Sequence, residues 1–205
     1  MQCVSQSRGV LLSGSLAIAL AVVGGCSQQP ASAPAQPGPA AAAPAAPVQS
    51  PADRGRVLVQ VGGCNDCHTT KKLGPQGPEP DMDKELSGHP QGISVTSLYK
   101  PAKGSPWTIA TTDTLTSWSG PWGTSFAANL TPDPTGLKDG VWSEASFLSA
   151  MKTGQHRGKG RAILPPMPWQ MYSKLSDDDL KAIWAYLQTI KPVANEVPDP
   201  IAPGK

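Results

Sequence analysis

Cysteine and histidine are scarce in this chain, 4 and 3 among 205 residues. The cysteines stand at positions 3, 26, 64 and 67, so there is one close pair and no second pair downstream. A structural zinc site needs four ligands, and no second cysteine pair stands downstream of Cys67 to complete one. Net charge is also small. Lys and Arg number 17 against 15 Asp and Glu, a balance that gives no case for nucleic acid or for strong attraction to a charged membrane surface. Strict apolar–polar alternation is never sustained, which argues against a β-fold, and no internal repeat is visible. The apolar run from Val10 to Val23 is too short for a comfortable membrane span.

Where the cysteines do pair, they carry chemistry. Cys64-Asn65-Asp66-Cys67-His68 is a C-x-x-C-H run, the attachment signature of c-type haem. Two thiols three positions apart on one tight turn can each add to a vinyl group of the same porphyrin. The histidine that follows then supplies an imidazole nitrogen to the iron. A thioredoxin-like reading of the pair would need a βαβ surrounding, and the Pro- and Gly-rich stretch after Thr70 does not provide one. One covalently bound haem c is therefore expected, with Cys64 and Cys67 as thioethers and His68 as the proximal ligand.

The N-terminal region says where the haem is attached. Arg8, the apolar run and the small residues Val23-Gly24-Gly25 before Cys26 form an export signal over residues 1–25. The ending resembles a bacterial lipoprotein cleavage box, in which Cys26 becomes the lipidated first residue. A plain cleaved signal and an uncleaved N-terminal anchor are the competing readings. With Cys3 removed, Cys26 lipidated and Cys64 and Cys67 on haem, no thiol remains for a disulfide. Residues 27–51 carry no charged side chain and are dominated by Ala and Pro. Together with Cys26 they read as a semi-rigid spacer of residues 26–51, extending ~3.1 Å per residue. Export places the haem outside the cytoplasmic membrane, in the periplasm of a Gram-negative cell.

Residues 52–192 make one domain of ordinary size, followed by an expected flexible tail, 193–205. Asp53 is placed to cap a short helix with Val57, Leu58 and Val61 on one side, ended by Gly62-Gly63. A second helix should follow Trp142-Ser143, burying Phe147, Leu148 and Met151 and stopping at Gly154. The last begins at Ser176 with Asp177, Asp178 and Asp179 over the positive end of its dipole. Leu180, Ile183, Trp184, Leu187 and Ile190 then recur at helical spacing, and Lys191-Pro192 closes it. Gly, Pro, Ser and Thr between these segments favour loops. The domain should be mostly α, with the porphyrin as much of its core.

The iron needs a sixth ligand or an open site. Met82, His89, Met151, His156, Met167 and Met171 are the candidates. Met167 stands in Pro165-Pro166-Met167-Pro168-Trp169, where prolines stiffen the loop and remove backbone donors. A thioether at the iron raises the potential, as Met/His ligation does in cytochromes c. Met167 is therefore the expected distal ligand, with Met171 the nearest rival. Met151 is expected in the core, and His89 and His156 as exposed polar residues. Arg157, Lys159, Arg161 and His156 form a basic cluster suited to a haem propionate, to an acidic partner, or simply to solvent. Trp107, Trp118 and Trp122 could wall the haem, although core packing is the default for tryptophan.

In the order N-terminal helix, C-x-x-C-H, long loops, methionine loop and C-terminal helix, residues 52–192 resemble a class I c-type cytochrome. The resemblance implies that the first and last helices cross at Gly55 and Tyr186. The stretch Gly123 to Asp133, with Trp142, Phe147 and Pro165 to Trp169, is similar to the cytochrome subunits of bacterial membrane-associated alcohol and sugar-acid dehydrogenases. Those subunits usually carry three such domains, whereas this chain has a single C-x-x-C-H. His68 and Met167 are 99 residues apart (167 − 68), so an insertion is expected around 71–120, with Leu86-Ser87-Gly88-His89-Pro90 inside it. The function implied is single-electron transfer by a non-enzymatic carrier, lipid-anchored and facing redox partner proteins in the periplasm or membrane. The other readings are a haem enzyme or gas sensor with an open distal site, and a dedicated relay subunit of a dehydrogenase or reductase.

Overall fold

Ser50, not Asp53, opens the first helix. In the computed structural model, which describes residues 49–95 and 99–203, α1 runs Pro51–Val61 with Ser50 as N-cap. The Ser50 hydroxyl accepts from the Asp53 amide, and Pro51 takes the first helical turn, where a missing N–H is no loss. The expected signal, Cys26 and the linker up to residue 48 lie outside the described residues. α1 buries Gly55 and Val59, while Val61 is 82% exposed. Of the expected apolar face Leu58 packs against the core and Val61 does not, because α1 meets the C-terminal helix through Gly55. α5, Asp177–Leu187, starts at the Ser176 cap and buries Leu180, Ala182, Ile183 and Leu187. A Cβ at Gly55 would be driven into the Ala182 carbonyl and lie 2.8 Å from the Tyr186 Cβ. Glycine is what lets the two backbones meet there.

Between them, α2 (Cys64–His68) carries the C-x-x-C-H run, and Gly63 enters it with φ of 67°. The third long helix, α3, spans Glu144–Thr153 with a complete Ser143–Ser146 capping box and ends at Gly154. A short α4, Trp169–Tyr172, follows the methionine loop. Val59, Leu86, Leu137, Phe147, Leu180, Ile183 and Leu187 form the continuous apolar core. Each such side chain contributes roughly 1.5–3 kcal/mol when fully buried.

Helix alone does not describe the domain, and here the structure departs from the sequence expectation. The expected insertion folds into hairpins. β1 (Lys71–Gly74) pairs antiparallel with β2 (Gly77–Pro80), and Gly74 faces Gly77 across a two-residue turn. β3 (Ala110–Thr111), β4 (Ser117–Gly120) and β5 (Gly123–Phe126) form a three-stranded antiparallel sheet in that order. Thr116, Ser117, Ser119, Thr124 and Ser125 are buried in and around it, so its packed surface is rich in hydroxyls. Leu86 to Pro90 runs as a strap across the C-x-x-C-H segment, with Gly88 N–H donating to the His68 carbonyl at 2.7 Å and His89 N–H to the Ala127 carbonyl at 2.9 Å.

The segment after Pro192 also differs from the flexible tail expected. It is not a free tail among the described residues. Asn195 is buried, and its amide donates to the Ser87 and His89 carbonyls at 2.7 and 2.8 Å. Its side-chain oxygen accepts from Gln91 N–H. Further on, Ile201 and Thr124 exchange both backbone hydrogen bonds, which adds one bridge to the edge of β5.

Candidate functional site

His68 is the anchor of the site. Only 9% of its surface is exposed, and its Nδ1 lies 2.8 Å from the Ala128 carbonyl. A carbonyl can only accept, so Nδ1 carries the proton and Nε2 is left with a free lone pair. Burial pushes the imidazole pKa down, against the upward pull of the Ala128 carbonyl, which keeps the ring neutral and fit to ligate. The Ala128 carbonyl is held in place in turn by the adjacent His89–Ala127 bond of the Leu86 to Pro90 strap.

Cys64 and Cys67 are half-buried and unpaired. Burial is the first cause of the rise in both thiol pKa values, taking Cys64 up to about 11. His68, both thiols and Met167 line one cavity of 760 Å³, within the range of roughly 300–1,000 Å³ usual for ligand sites. Its walls are largely apolar, including Val59, Leu137, Phe147, Leu180 and Ile183. A pair of thiols on one turn, a neutral imidazole with a free Nε2 and a thioether in an apolar pocket fit a covalently held haem. Carboxylates or a polar cradle would not.

Among the other ligand candidates, Met151 lines the cavity and packs against the apolar core. Met171 is 73% and Met82 55% exposed, and neither lines the cavity. His89 is not the exposed residue expected. It is fully buried, with Nδ1 2.9 Å from the Thr116 hydroxyl and Nε2 2.9 Å from the Ile93 carbonyl, so both nitrogens are committed. The reason is the strap, which turns the residue inward against Phe126. His156 is half-buried, edge-on to the Trp142 ring at 5.4 Å, and lines the cavity. Burial first, and the Arg161 and Arg157 charges after it, lower its pKa.

The basic cluster divides. Arg157 and Arg161 line the cavity and Lys159 does not. Arg157 is ion-paired with Asp139 and sits at φ of 56°. Trp118 lines the cavity, while Trp107 is 74% exposed and lies outside it. Trp122 donates its indole N–H to the Ser125 hydroxyl at 3.3 Å.

Several site residues escape sequence reasoning. The Ala128 carbonyl carries no side-chain signal. Tyr172 lines the cavity and donates its hydroxyl to the Gly62 carbonyl at 2.6 Å, tying α4 to the turn before α2. Burial raises its phenol to about 12. Glu196 to Pro200 also line the cavity, although nothing in their composition distinguishes them from a tail.

Comparison with known proteins agrees with this geometry. Residues 52–191 match the family model described as cytochrome c. A nicotinate dehydrogenase subunit of Pseudomonas putida is 42% identical over 79 residues, covering 38% of this chain and 6% of that protein. The cytochrome c subunit of the quinone alcohol dehydrogenase of Gluconobacter oxydans is 39% identical over 83 residues, 38% of this chain and 17% of the relative. The fructose dehydrogenase cytochrome subunit of Gluconobacter japonicus is 36% identical over 84 residues, 40% and 16% respectively. The chain thus spans only a small part of the curated relatives it matches. With the family comes the class I cytochrome fold and its covalently bound haem c. The chain belongs to the cytochrome c family.

Proposed function

We propose that this protein is a lipid-anchored, periplasm-facing electron carrier. In this reading Cys64 and Cys67 would hold the haem through thioethers, and His68 and Met167 would ligate its iron. Haem iron, when bound, supplies a one-electron couple between ferrous and ferric states. The chain's residues do the rest. The His68 imidazole, oriented by Ala128, offers Nε2 as a ligand. Met167 offers a soft sulfur that favours the ferrous state and raises the potential. The apolar walls exclude water, so little rearranges when the charge changes. The observation that carries the reading is that Met167 lines the cavity shared by His68 and both thiols, whereas Met82 and Met171 do not and Met151, also at the wall, packs against the apolar core.

The anchor follows the sequence, with a signal over 1–25 and a lipidated Cys26 followed by a spacer, while the haem domain runs from the Ser50 cap of α1 through the Glu196 to Pro200 segment at the cavity. Carbon monoxide titration of the reduced holoprotein tests the distal ligand. The expected outcome is no spectral change in the native protein and ready adduct formation in Met167→Ala. An adduct in the native protein would replace this reading with a haem enzyme or gas sensor.

A second reading is favoured by the relatives, each named as a subunit of a dehydrogenase. In it the haem is a dedicated relay inside such a complex. Stable co-purification with a dehydrogenase would support the relay, and recovery as a free monomer would support a shuttle.

A further inference from the structure

The methionine loop is poor in its own donors. Pro165, Pro166 and Pro168 have no N–H, so Pro165-Pro166-Met167-Pro168 holds one backbone donor in four residues. The backbone of such a loop is gripped from outside chiefly through its carbonyls. Behind the methionine, Trp169 N–H closes on the Met167 carbonyl at 2.9 Å. Ahead of it, the Pro165 carbonyl accepts from the Ser125 hydroxyl at 2.5 Å. Ser125 is on β5, 40 residues away in sequence and outside the loop's own element.

The hydroxyl is set for that task. It receives the Trp122 indole N–H at 3.3 Å, which occupies a lone pair and leaves its single proton to donate. The other acceptor in reach is the Trp118 carbonyl at 3.4 Å, distant beside Pro165 at 2.5 Å. The strand bearing it is held from both sides. β4 pairs with it through Trp118 opposite Ser125, and Ile201 closes two backbone bonds on Thr124. Ser125 itself is 7% exposed, so its hydroxyl is held inside the sheet while Pro165, at the exposed end of the bond, would be free to move without it.

We propose that Ser125 is a positioning residue for Met167: its hydroxyl fixes the Pro165 carbonyl and thereby holds the methionine loop closed on the cavity. This rests on Met167 being the distal ligand. The β3–β5 sheet then has a role beyond filling the insertion. It is the brace of the distal side, as the Leu86 to Pro90 strap is of the His68 side.

The test is the affinity of the ferric holoprotein for external imidazole, read optically, in four proteins. These are native, Ser125→Ala, Met167→Ala and Ser117→Ala. Ser117 lies on β4 and its hydroxyl bonds only to Thr112 within the same sheet region, so it reports on general loosening of the sheet. Losing one hydrogen bond that favours the closed loop should tighten imidazole binding by about three- to tenfold in Ser125→Ala, with Ser117→Ala at the native value. If Met167→Ala binds imidazole tightly and Ser125→Ala stays native, the brace is wrong and the ligand assignment stands. Equal tightening in both serine variants would also overturn it, because the effect would belong to the sheet and not to the Pro165 bond. If Met167→Ala keeps the native ligand-field spectrum and affinity, the ligand assignment itself fails, and the brace with it.

Discussion

Gly55 shows what a single residue decides in this fold. In a helix interior glycine is worse than alanine by roughly 1 kcal/mol, so helix propensity alone predicts that Gly55→Ala stabilises α1. The contact across to α5 points the other way. The obstacle to the new methyl is the Ala182 backbone carbonyl, with the Tyr186 Cβ beside it, and neither can rotate out of the way. Overpacking of this kind costs about 1–3 kcal/mol and should outweigh the propensity gain. Gly55→Ala is therefore expected to lower the thermal midpoint of the holoprotein, and a raised midpoint would show that the helices part without cost. Resemblance to a cytochrome is enough to single out Gly55. By contrast, the partner of His68 is a backbone carbonyl, Ala128, which no residue type betrays. The burial of His89 is hidden for a related reason. Gly88 and Pro90 on either side look like a surface turn, and only the three-dimensional path of the strap buries the ring.

Whole elements are legible where side chains cap them. Ser143 and Gly154 bound α3 as expected, with Ser143 accepting from the Ser146 amide at 3.2 Å and the Ser146 hydroxyl answering to the Ser143 amide at 2.8 Å. Removing that cap in Ser143→Ala should cost about 1 kcal/mol, or roughly 3–5 °C in the midpoint for a domain of this size. Because α3 brings Phe147 and Met151 to the cavity wall, the loss should appear in unfolding of the holoprotein while the iron spectrum stays native. A changed spectrum would mean that α3 also sets the ligand field. The hairpins are not legible. Their strands are four residues long or shorter, and Gly74-Pro75-Gln76-Gly77 and Gly120-Pro121-Trp122-Gly123 announce turns more loudly than the flanking residues announce strands. The segment after Pro192 is hidden differently. Its hold on the domain comes from scattered polar contacts, chiefly the Asn195 side chain with three backbone partners and the Thr124–Ile201 bridge, and such contacts have no periodicity to detect.

Among the described residues the buried titratable side chains are two histidines, and one of them, His68, lines the cavity it shares with both thiols. His89 is buried apart from it, at the end of a hydroxyl chain. Its Nδ1 meets Thr116 at 2.9 Å, Thr116 meets Thr114 at 2.8 Å, and Thr114 meets Thr112 at 3.0 Å. Its ring faces Phe126, and no charged side chain is hydrogen-bonded to it. Burial accordingly lowers its pKa below the usual 6.5, and the Ile93 carbonyl offsets this only in part. The unfolded chain therefore binds a proton at this site before the folded one does. Stability from neutral His89 is complete above about pH 6.5 and is lost as pH falls from there through the lower folded value. The lowered carboxyls of Asp133 and Asp179 act further down, below their ordinary 3.8, and so leave this window to histidine. His156 shares the direction, which is why the comparison needs a variant and not a single curve. His89→Gln keeps a hydrogen-bonding side chain but no titration, so it should be less stable than the native holoprotein at about pH 7. That deficit should shrink as both are unfolded in urea at successively lower pH down to about 5, since only the native protein loses the His89 contribution. Parallel stability curves for the two proteins would show that the buried ring takes up its proton in the folded state as readily as in the unfolded one.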